Sequence, residues 1–398
     1  MKILIAGLYM PGSGLTSVMM RLALHMAERA HVSLLGFDPI LGDARNVKVA
    51  GIPARLVTAK AGRMIAEASW LERTMSECRP DVFVVTGPAS MARSLLDQLS
   101  RYRPLVRVVY YLPTEGSIVS SAILNVLTLT DDCVVFTDNA RRDLIALMES
   151  AAQTSLPRLH VVGHGVDHDA FWASGLRGDV GPRHVVRQSF WSSQDPEEFV
   201  VLNVNRPYYR KRLDITIAGF GDFAKLYPRS RLVLHPGRLN IAQLDELETW
   251  RSSSGVPDRI TVLPYEEPMS SARLNELYNV CDVGLTTAMG EGWGLTPFEH
   301  AATGAPQVVP DHTSFSENWT GAASMLPIEE KHAIFYEYAD MHATSSHHVS
   351  CALEALAADG DKRKLMGSLA KARALDPKFS WERVGSRFFS ILEQGVVQ

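Results

Sequence analysis

The sequence has few cysteines, no long apolar run and little net charge. Its 398 residues include four cysteines (Cys78, Cys133, Cys281 and Cys351), and no two of them form a C-x-x-C pair. A disulfide framework or a cysteine zinc site is therefore not expected. We expect the protein to be in a reducing compartment, the cytoplasm. No apolar run approaches the roughly 18 residues of a membrane-spanning helix, so no transmembrane segment is predicted.

The small net charge argues against generic binding to polyanions. Forty Lys and Arg side chains stand against 44 Asp and Glu, for a formal charge of −4, whereas generic nucleic-acid binders depend on many phosphate contacts. Residues 1–190 carry 20 basic and 17 acidic side chains, and residues 191–398 carry 20 and 27. The length predicts two domains, since domains have roughly 100–200 residues.

Short apolar runs alternate with segments of helical spacing along the chain. In the first part, an apolar run at 2–7 is followed by a glycine-rich loop and a helical pattern at 15–29. Further apolar runs lie at 31–37, 81–87, 105–112, 132–137 and 159–165. Near-continuous apolar runs are typical of parallel strands covered on both faces, so the pattern predicts an α/β, doubly wound, Rossmann-like domain.

A segment rich in glycine, proline and serine, 174–198, interrupts this alternation and is interpreted as a linker. The alternation then resumes, with apolar runs at 198–205, 230–235, 259–264, 282–287 and 306–310. We predict a domain at 1–180, a second at 190–375 and a terminal helix within 376–398, where apolar residues recur at helical spacing.

A glycine-rich motif, GEGWGLTPFEH at 290–300, follows one of these apolar runs and precedes a predicted helix. Its glycines allow the backbone to approach a ligand closely, and the N–H groups at a helix start bind phosphate. Glu291 in the loop and Glu299 in the helix can both face such a ligand. Taken alone, the motif is equally consistent with a glycine turn followed by two solvated glutamates.

Four cations follow the predicted strand at 198–205. Arg206, Arg210, Lys211 and Arg212 lie at the carboxyl end of a parallel strand, where open α/β sheets bind ligands. Arginine offers a planar fork and lysine a mobile charge, a pair suited to a diphosphate. Arg210 and Arg212 taken singly are typical of a solvated basic loop. The cations and the glycine loop in one half together predict a diphosphate site.

These motifs resemble the donor half of GT-B glycosyltransferases of family GT4. The resemblance is carried by an R-x4-K pair, an E-x7-E motif with an embedded G-W-G-L, and a following G-x-P, here Arg206 and Lys211, Glu291 and Glu299, and Gly304-Ala-Pro306. In the first half, Gly12-Ser13-Gly14 corresponds to the family's N-terminal glycine loop, and 161–171 resembles its segment before the linker. The run at 203–215 is most similar to virus-encoded members.

The resemblance implies a GT-B fold, with two Rossmann-like domains facing a cleft and a terminal helix that crosses back to the first domain. It also implies roles for individual residues. Arg206 and Lys211 would neutralise the leaving diphosphate, and Glu291 would bind hydroxyls of the donor sugar. The remaining donor-binding positions would be Gly12, Gly14, Trp293, Gly294, Leu295, Thr296 and Glu299, the last on the ribose.

The activity implied is retaining transfer of a sugar from a UDP- or GDP-linked donor to an acceptor hydroxyl. The leaving phosphate would take the acceptor's proton, so no metal or other cofactor is expected. The acceptor could be a glycan, a modified nucleobase, a protein or a small molecule. Glu115 and His164 are weaker candidates for contact with the sugar or acceptor, because the chain departs from the family pattern around both.

Three other interpretations stay open. A sugar-nucleotide epimerase or phosphorylase would share the fold, and a non-catalytic nucleotide-sugar-binding subunit would be expected to lack some of the charged residues. A nicotinamide-dependent dehydrogenase would use Gly12, Gly14 and Asp38, although the third glycine of that fingerprint is missing. Neither of two D-x-D sequences, at 167–169 and 359–361, is expected to bind a metal. The first is interpreted as a turn or cap, and the second lies between two predicted helices.

Overall fold

The computed structural model describes residues 1–38, 45–58, 68–102, 105–151, 156–176, 179–192, 195–265, 268–336 and 339–394. The chain divides into two compact units. Unit 1 comprises Met1–Gly165, Phe335–Ala339 and Trp381–Gln398, and unit 2 comprises Val166–Ile334 and Asp340–Ser380. The segment 174–198 therefore lies within unit 2.

Among the described residues of 1–165, unit 1 contains nine strands and five α-helices. The strands are β1 (Lys2–Leu8), β2 (His31–Asp38), β3 (Arg45–Val49), β4 (Ile52–Thr58), β5 (Val82–Thr86), β6 (Arg107–Tyr111), β7 (Ser117–Ile118), β8 (Asp132–Val135) and β9 (Arg158–Val161). The helices are α1 (Gly14–Ala27), α2 (Ala68–Cys78), α3 (Ala89–Gln98), α4 (Leu124–Leu127) and α5 (Asp138–Ser150).

Eight of these strands form one sheet in the order β3-β4-β2-β1-β5-β6-β8-β9. All neighbours are parallel except β3, which pairs antiparallel with β4 at the sheet edge. The central strands are buried along their length; β5, for example, has no exposed residue. The doubly wound parallel sheet predicted from the apolar runs is confirmed, and the β3–β4 pair is an addition to that prediction.

Unit 2 has a second parallel sheet and most of the remaining helices. Its strands are β10 (Phe199–Asn203), β11 (Ser230–Leu234), β12 (Ile260–Val262), β13 (Val283–Leu285), β14 (Gln307–Pro310) and β15 (Ser324–Leu326), followed by β16 (Glu330–Tyr336) and β17 (Ala339–Ala343) at the unit boundary. The helices are α6 (Arg183–Gln188), α7 (Leu213–Leu226), α8 (Ile241–Ser253), α9 (Ser271–Val280), α10 (Leu295–Ala302), α11 (Thr313–Trp319), α12 (Ser346–Ala358) and α13 (Gly360–Ala374).

The sheet of unit 2 runs β12-β11-β10-β13-β14-β15, with every pair parallel. Strand order reverses between β10 and β13: β11 and β12 lie to one side, and β14 and β15 to the other. In open α/β sheets such a reversal opens a crevice at the carboxyl ends of the two strands. The loops after β10 and β13 are the ones that carry the predicted diphosphate site.

The terminal helix α14 (Trp381–Glu393) belongs to unit 1. Its buried face includes Phe388, whose ring packs edge-on against Tyr111 with centroids 5.1 Å apart. Ser386 lies 3.2 Å from His25 Nε2 on α1, and Arg107 donates to the carbonyl of Leu392 at 2.7 Å. The predicted return of the last helix to the first domain is confirmed, and contacts in the middle and near the C-terminal end of the helix hold it there.

Candidate active site

The basic loop after β10 and the glycine loop after β13 meet through an ion pair. Lys211 donates from Nζ to Glu291 Oε2, and Arg210 donates to the carbonyl of Gly290 at 2.9 Å and to Glu291 Oε2 at 3.4 Å. Both cations and the carboxylate are half-buried. The structure thus brings together two predicted site residues, Lys211 and Glu291, and adds Arg210 to them.

Arg212 shapes the turn from the basic loop into α7. It adopts a left-handed conformation (φ 46°, ψ 51°), and its guanidinium binds Asp214 through three hydrogen bonds of 2.8–3.1 Å. Such a conformation is uncommon outside glycine and persists where surrounding contacts enforce it. Arg210 and Arg212 are therefore paired and half-buried, rather than solvated as the basic loop alone indicated.

Buried hydroxyl and amide groups support the two loops from below. The Thr287 hydroxyl donates to the carbonyl of Arg212 at 2.7 Å, and it lies 2.7 Å from the Thr216 hydroxyl, which accepts from Asn203. Asn205 in turn donates to the Thr286 hydroxyl at 3.1 Å. A fully satisfied polar network in a core fixes one geometry, so the backbone that presents Lys211 is held from beneath.

Arg206 lies on the other side of the same loop, towards β11. Its side chain is half-buried and packs beside Gly237. A Cβ atom added to Gly237 would lie 4.0 Å from the Arg206 side chain, which is van der Waals contact. Gly237 has a φ of +70° and lies in the loop after β11. Arg206 and Lys211 are thus carried by one loop but directed to neighbouring parts of the sheet edge.

The glycine loop leads into α10 through a residue that has to be glycine. Gly294 is the N-cap of α10 with a φ of +86°, and a Cβ there would lie 2.7 Å from the Phe315 ring. Trp293 is buried, with its ring stacked on Phe298 at 5.3 Å and 10°. Because the Trp293 side chain is anchored in the core, the backbone N–H groups at the start of α10, including those of Leu295 and Thr296, are fixed in position.

Glu299 lies one turn into α10 and is half-buried. It accepts a hydrogen bond of 2.9 Å from the hydroxyl of Tyr278, a buried residue of α9. The glycine loop itself is anchored by Ser314, whose hydroxyl donates to the carbonyl of Glu291 at 2.7 Å. The sequence motifs did not assign a role to three neighbours of the site, Tyr278, Ser314 and Arg210. Of these, only Arg210 could have been identified from sequence, because it lies in the basic loop.

The charges around Glu291 lower the pKa of its carboxyl. Burial by itself would raise that pKa, but Lys211 and Arg210 outweigh burial and lower the pKa of Glu291 from 4.5 to about 2. A carboxyl with a lower pKa in the folded than in the unfolded state stabilises the fold above its unfolded pKa. The pair therefore contributes at neutral pH and loses its contribution as pH falls from about 4.5 towards 2.

We expect Glu291→Gln to lower the free energy of unfolding by an amount that stays constant from about pH 8 to pH 5 and shrinks below about pH 4.5. Denaturant unfolding of both proteins across this pH range measures the difference. Glu197→Gln, which alters an exposed carboxylate of the same unit, is the matched control and should give a difference near zero. A Glu291→Gln difference that already declined between pH 7 and pH 5 would contradict the low pKa.

The predicted residues of unit 1 all follow carboxyl ends of strands in its sheet. Gly12, with a φ of +79°, and Gly14 lie exposed around the start of α1, where Ser13 caps the helix. Glu115 follows β6 and is half-buried. His164 follows β9 and is buried, with its ring 4.3 Å from that of Phe136.

Both D-x-D sequences use their first aspartate as a cap. Asp167 Oδ1 accepts from the backbone N–H groups of residues 169 and 170, each at 3.1 Å, and Asp359 caps α13.

His300 is buried against the carbonyl of Tyr278, and burial lowers the pKa of His300 to about 3, so its imidazole is neutral. No helix among the described residues is long and apolar enough to cross a membrane.

Comparison with known proteins agrees with this geometry. Residues 187–321 match the family described as "Glycosyl transferases group 1". The solved sucrose-phosphate synthase from Thermosynechococcus elongatus superposes on 99% of the chain and 99% of its own length, with a TM-score of 0.75 and 14% identity. The solved structure of Anabaena HepE in complex with UDP and glucose superposes on 99% of this chain and 100% of its own length, with a TM-score of 0.73 and 15% identity. The chain has the GT-B fold, and its residues 187–321 are similar to the group 1 glycosyl transferases.

Relatives with sequence similarity agree with the family match. D-inositol 3-phosphate glycosyltransferase of Xylanimonas cellulosilytica is 25% identical over 270 residues, which cover 68% of this chain and 58% of that protein. Mannosylfructose-phosphate synthase of Agrobacterium fabrum is 28% identical over 159 residues, or 39% and 33% of the two chains. The matched regions thus span about three fifths or less of these curated relatives. The predicted resemblance to GT-B enzymes of the GT4 type is confirmed.

Proposed function

We propose that this protein transfers a sugar from a UDP- or GDP-linked donor to an acceptor hydroxyl, with retention of configuration and without a metal ion. The observation that carries the proposal is the meeting of Lys211, Arg210 and Glu291 at the reversal of strand order in unit 2. Cations at that point, beside the N-terminus of α10, form an environment suited to a diphosphate.

In this proposal Arg206 and Lys211 neutralise the diphosphate as it leaves. The acceptor oxygen forms a bond to the anomeric carbon as the bond from that carbon to the phosphate oxygen breaks, with its electron pair going to the phosphate. The phosphate oxygen takes the acceptor's proton, so no separate base is required. Preorganised charge at the leaving group then supplies most of the protein's contribution to catalysis.

The remaining roles concern binding of the donor. The N–H groups of residues 293–295 and the Thr296 hydroxyl hold phosphate or sugar oxygens, Glu291 binds sugar hydroxyls and Glu299 binds the ribose. As the family resemblance implies, we assign Gly12 and Gly14 to donor binding, and Glu115 and His164 to the sugar or the acceptor. Since Asp167 and Asp359 serve as caps, we assign metal binding to neither D-x-D sequence.

For the acceptor, the names of the relatives favour a small molecule over a glycan, nucleobase or protein. D-inositol 3-phosphate glycosyltransferase and mannosylfructose-phosphate synthase are both named for phosphorylated polyhydroxyl compounds. We accordingly propose a small phosphorylated sugar or polyol as the first acceptor class to test.

A thermal-shift screen with UDP, GDP, ADP, their glucose and mannose conjugates and NAD tests the donor assignment. At a ligand concentration of about 100 times Kd, a bound nucleotide stabilises the folded state by roughly 2.7 kcal/mol, enough to raise Tm by several degrees. We expect a UDP or GDP compound to do so, and the matching donor to be hydrolysed slowly in the absence of acceptor. A shift with NAD and none with any nucleoside diphosphate would replace this proposal with a dehydrogenase.

A further inference from the structure

The carboxylate of Glu299 is held by a hydrogen bond from a neighbouring helix. The Tyr278 hydroxyl donates to Glu299 Oε2 at 2.9 Å, and the Tyr278 side chain is only 1% exposed. Burial, reinforced by the charge of Glu299, raises the pKa of Tyr278 well above 10. The phenol therefore keeps its proton and acts as a hydrogen-bond donor throughout the physiological pH range.

The Tyr278 ring is fixed on two sides. His300, on the same helix as Glu299, stacks on it with ring centroids 5.0 Å apart and an interplanar angle of 17°. Phe171 packs edge-on at 5.6 Å and 61°. With aromatic contacts on two sides, the ring has one well-defined position, and the direction of its hydroxyl is set by packing.

Phe171 is held by a turn on its N-terminal side and by a contact with α9 on its C-terminal side. Its N–H donates to the carbonyl of Asp167 at 2.9 Å, closing the turn that the Asp167 side chain also caps. The next residue, Trp172, donates from its N–H to Asn275 Oδ1 on α9 at 3.0 Å. The sequence motif at 161–171 thus ends in a side chain that supports Tyr278.

We propose that Tyr278 is a positioning residue that fixes the Glu299 carboxylate for the ribose hydroxyls of the donor nucleotide, and so sets the preference for ribonucleotides over 2′-deoxyribonucleotides. The inference depends on the ribose-binding role proposed above for Glu299. The terminal torsion of a glutamate is broad, and two vicinal hydroxyls are recognised well only when both carboxylate oxygens are held in a fixed plane. A hydrogen bond from a packed phenol supplies that constraint.

The test is equilibrium binding of UDP and GDP and of their 2′-deoxy counterparts to the full chain, measured by calorimetry. For the nucleotide that binds, we expect the wild-type protein to prefer the ribose form by about tenfold or more, since a hydrogen bond to a charged group is at stake. Tyr278→Phe should reduce that ratio about three- to tenfold, mainly by weakening the ribose form. Tyr110→Phe, which removes the hydroxyl of a buried tyrosine bonded to the carbonyl of Gly87 at 2.9 Å in unit 1, should leave the ratio unchanged.

A double-mutant cycle separates positioning from general support. If Tyr278 acts through Glu299, then Tyr278→Phe made in a Glu299→Gln background should change the ratio no further. Equal weakening of ribose and deoxyribose forms by Tyr278→Phe, or an additive loss in the double variant, would overturn the inference and leave the donor site standing. A wild-type ratio in Glu299→Gln itself would instead overturn the ribose-binding role of Glu299, and the inference with it.

Discussion

Lys211→Ala is expected to lower turnover by about 100- to 1000-fold while changing the affinity for a nucleoside diphosphate far less. The Lys211 ammonium pairs with the Glu291 carboxylate, and its proposed partner in the reaction is the diphosphate, which gains negative charge as it leaves. Loss of one preorganised group of this kind costs roughly 2–4 kcal/mol of transition-state stabilisation. Donor hydrolysis and acceptor-dependent transfer, each with separate kcat and KM, measure the effect.

Two further variants define the comparison. Glu299→Ala should show the opposite split, with weaker nucleotide binding and a smaller effect on kcat, because its proposed partner is the ribose and not the reacting bond. Lys225→Ala removes an exposed lysine of α7 that pairs with Asp222 at 2.9 Å, and it should leave both parameters unchanged. Equal loss of affinity with unchanged turnover in Lys211→Ala and Glu299→Ala would refute the assigned roles.

The Lys211→Ala protein is expected to fold, which keeps the kinetic comparison interpretable. Arg210 lies 3.4 Å from Glu291 Oε2 in the wild-type structure, so we expect the carboxylate to retain a counter-ion when Lys211 is replaced. The backbone of the loop is held independently, since the Thr287 hydroxyl donates to the carbonyl of Arg212 and the N–H of Met289 donates to the carbonyl of Arg210 at 2.7 Å. A loss of activity can therefore be attributed to the missing charge.

The central parallel strands could be predicted from sequence because strands such as β5 and β10 are buried on both faces and have continuous apolar sequences. The loops after β10 and β13 could be predicted as a candidate site because the cations and glycines directly follow such runs. The pairing of Lys211 with Glu291 could not be predicted, because it depends on β10 and β13 being neighbours in the sheet. The order of strands in a sheet cannot be inferred from the sequence of either segment. Strand β3 (RNVKV) was missed because an edge strand with polar residues lacks the apolar run.

Packing in the segment 174–198 could not be predicted either. Its composition is that of a linker, yet it contains α6, and Arg187 of α6 is 1% exposed. The groups that satisfy this arginine are mainly backbone carbonyls, those of Glu198 and Val280, together with the Asp282 carboxylate. Every residue has a backbone carbonyl, so the sequence does not show which carbonyls will accept hydrogen bonds from an arginine. A buried arginine of this kind therefore cannot be distinguished by sequence from an exposed one.

Arg187→Ala is expected to destabilise unit 2 by about 2–4 kcal/mol, because it removes a buried side chain and its hydrogen bond to the carbonyl of Glu198. Arg183 still donates to the carbonyl of Val280 and pairs with Asp282 at 2.8 Å, so these two acceptors keep a partner. For a unit of this size such a loss corresponds to a fall in Tm of roughly 5–15 °C. Thermal unfolding followed by circular dichroism measures it. Arg229→Ala is the matched control, because Arg229 pairs with Asp195 at 2.6 Å on the surface, where an ion pair contributes about 1 kcal/mol or less.

The Arg187 and Lys211 variants act at opposite ends of the same two strands. Arg187 binds at Glu198 and Asp282, which precede β10 and β13, whereas Lys211 and Glu291 follow those strands. If the amino ends serve stability and the carboxyl ends serve the donor, Arg187→Ala should bind UDP or GDP within about twofold of wild type at 10 °C despite its lower Tm. A Tm loss no larger than that of Arg229→Ala would refute the structural role of Arg187. A nucleotide affinity that fell together with Tm would refute the separation of the two ends.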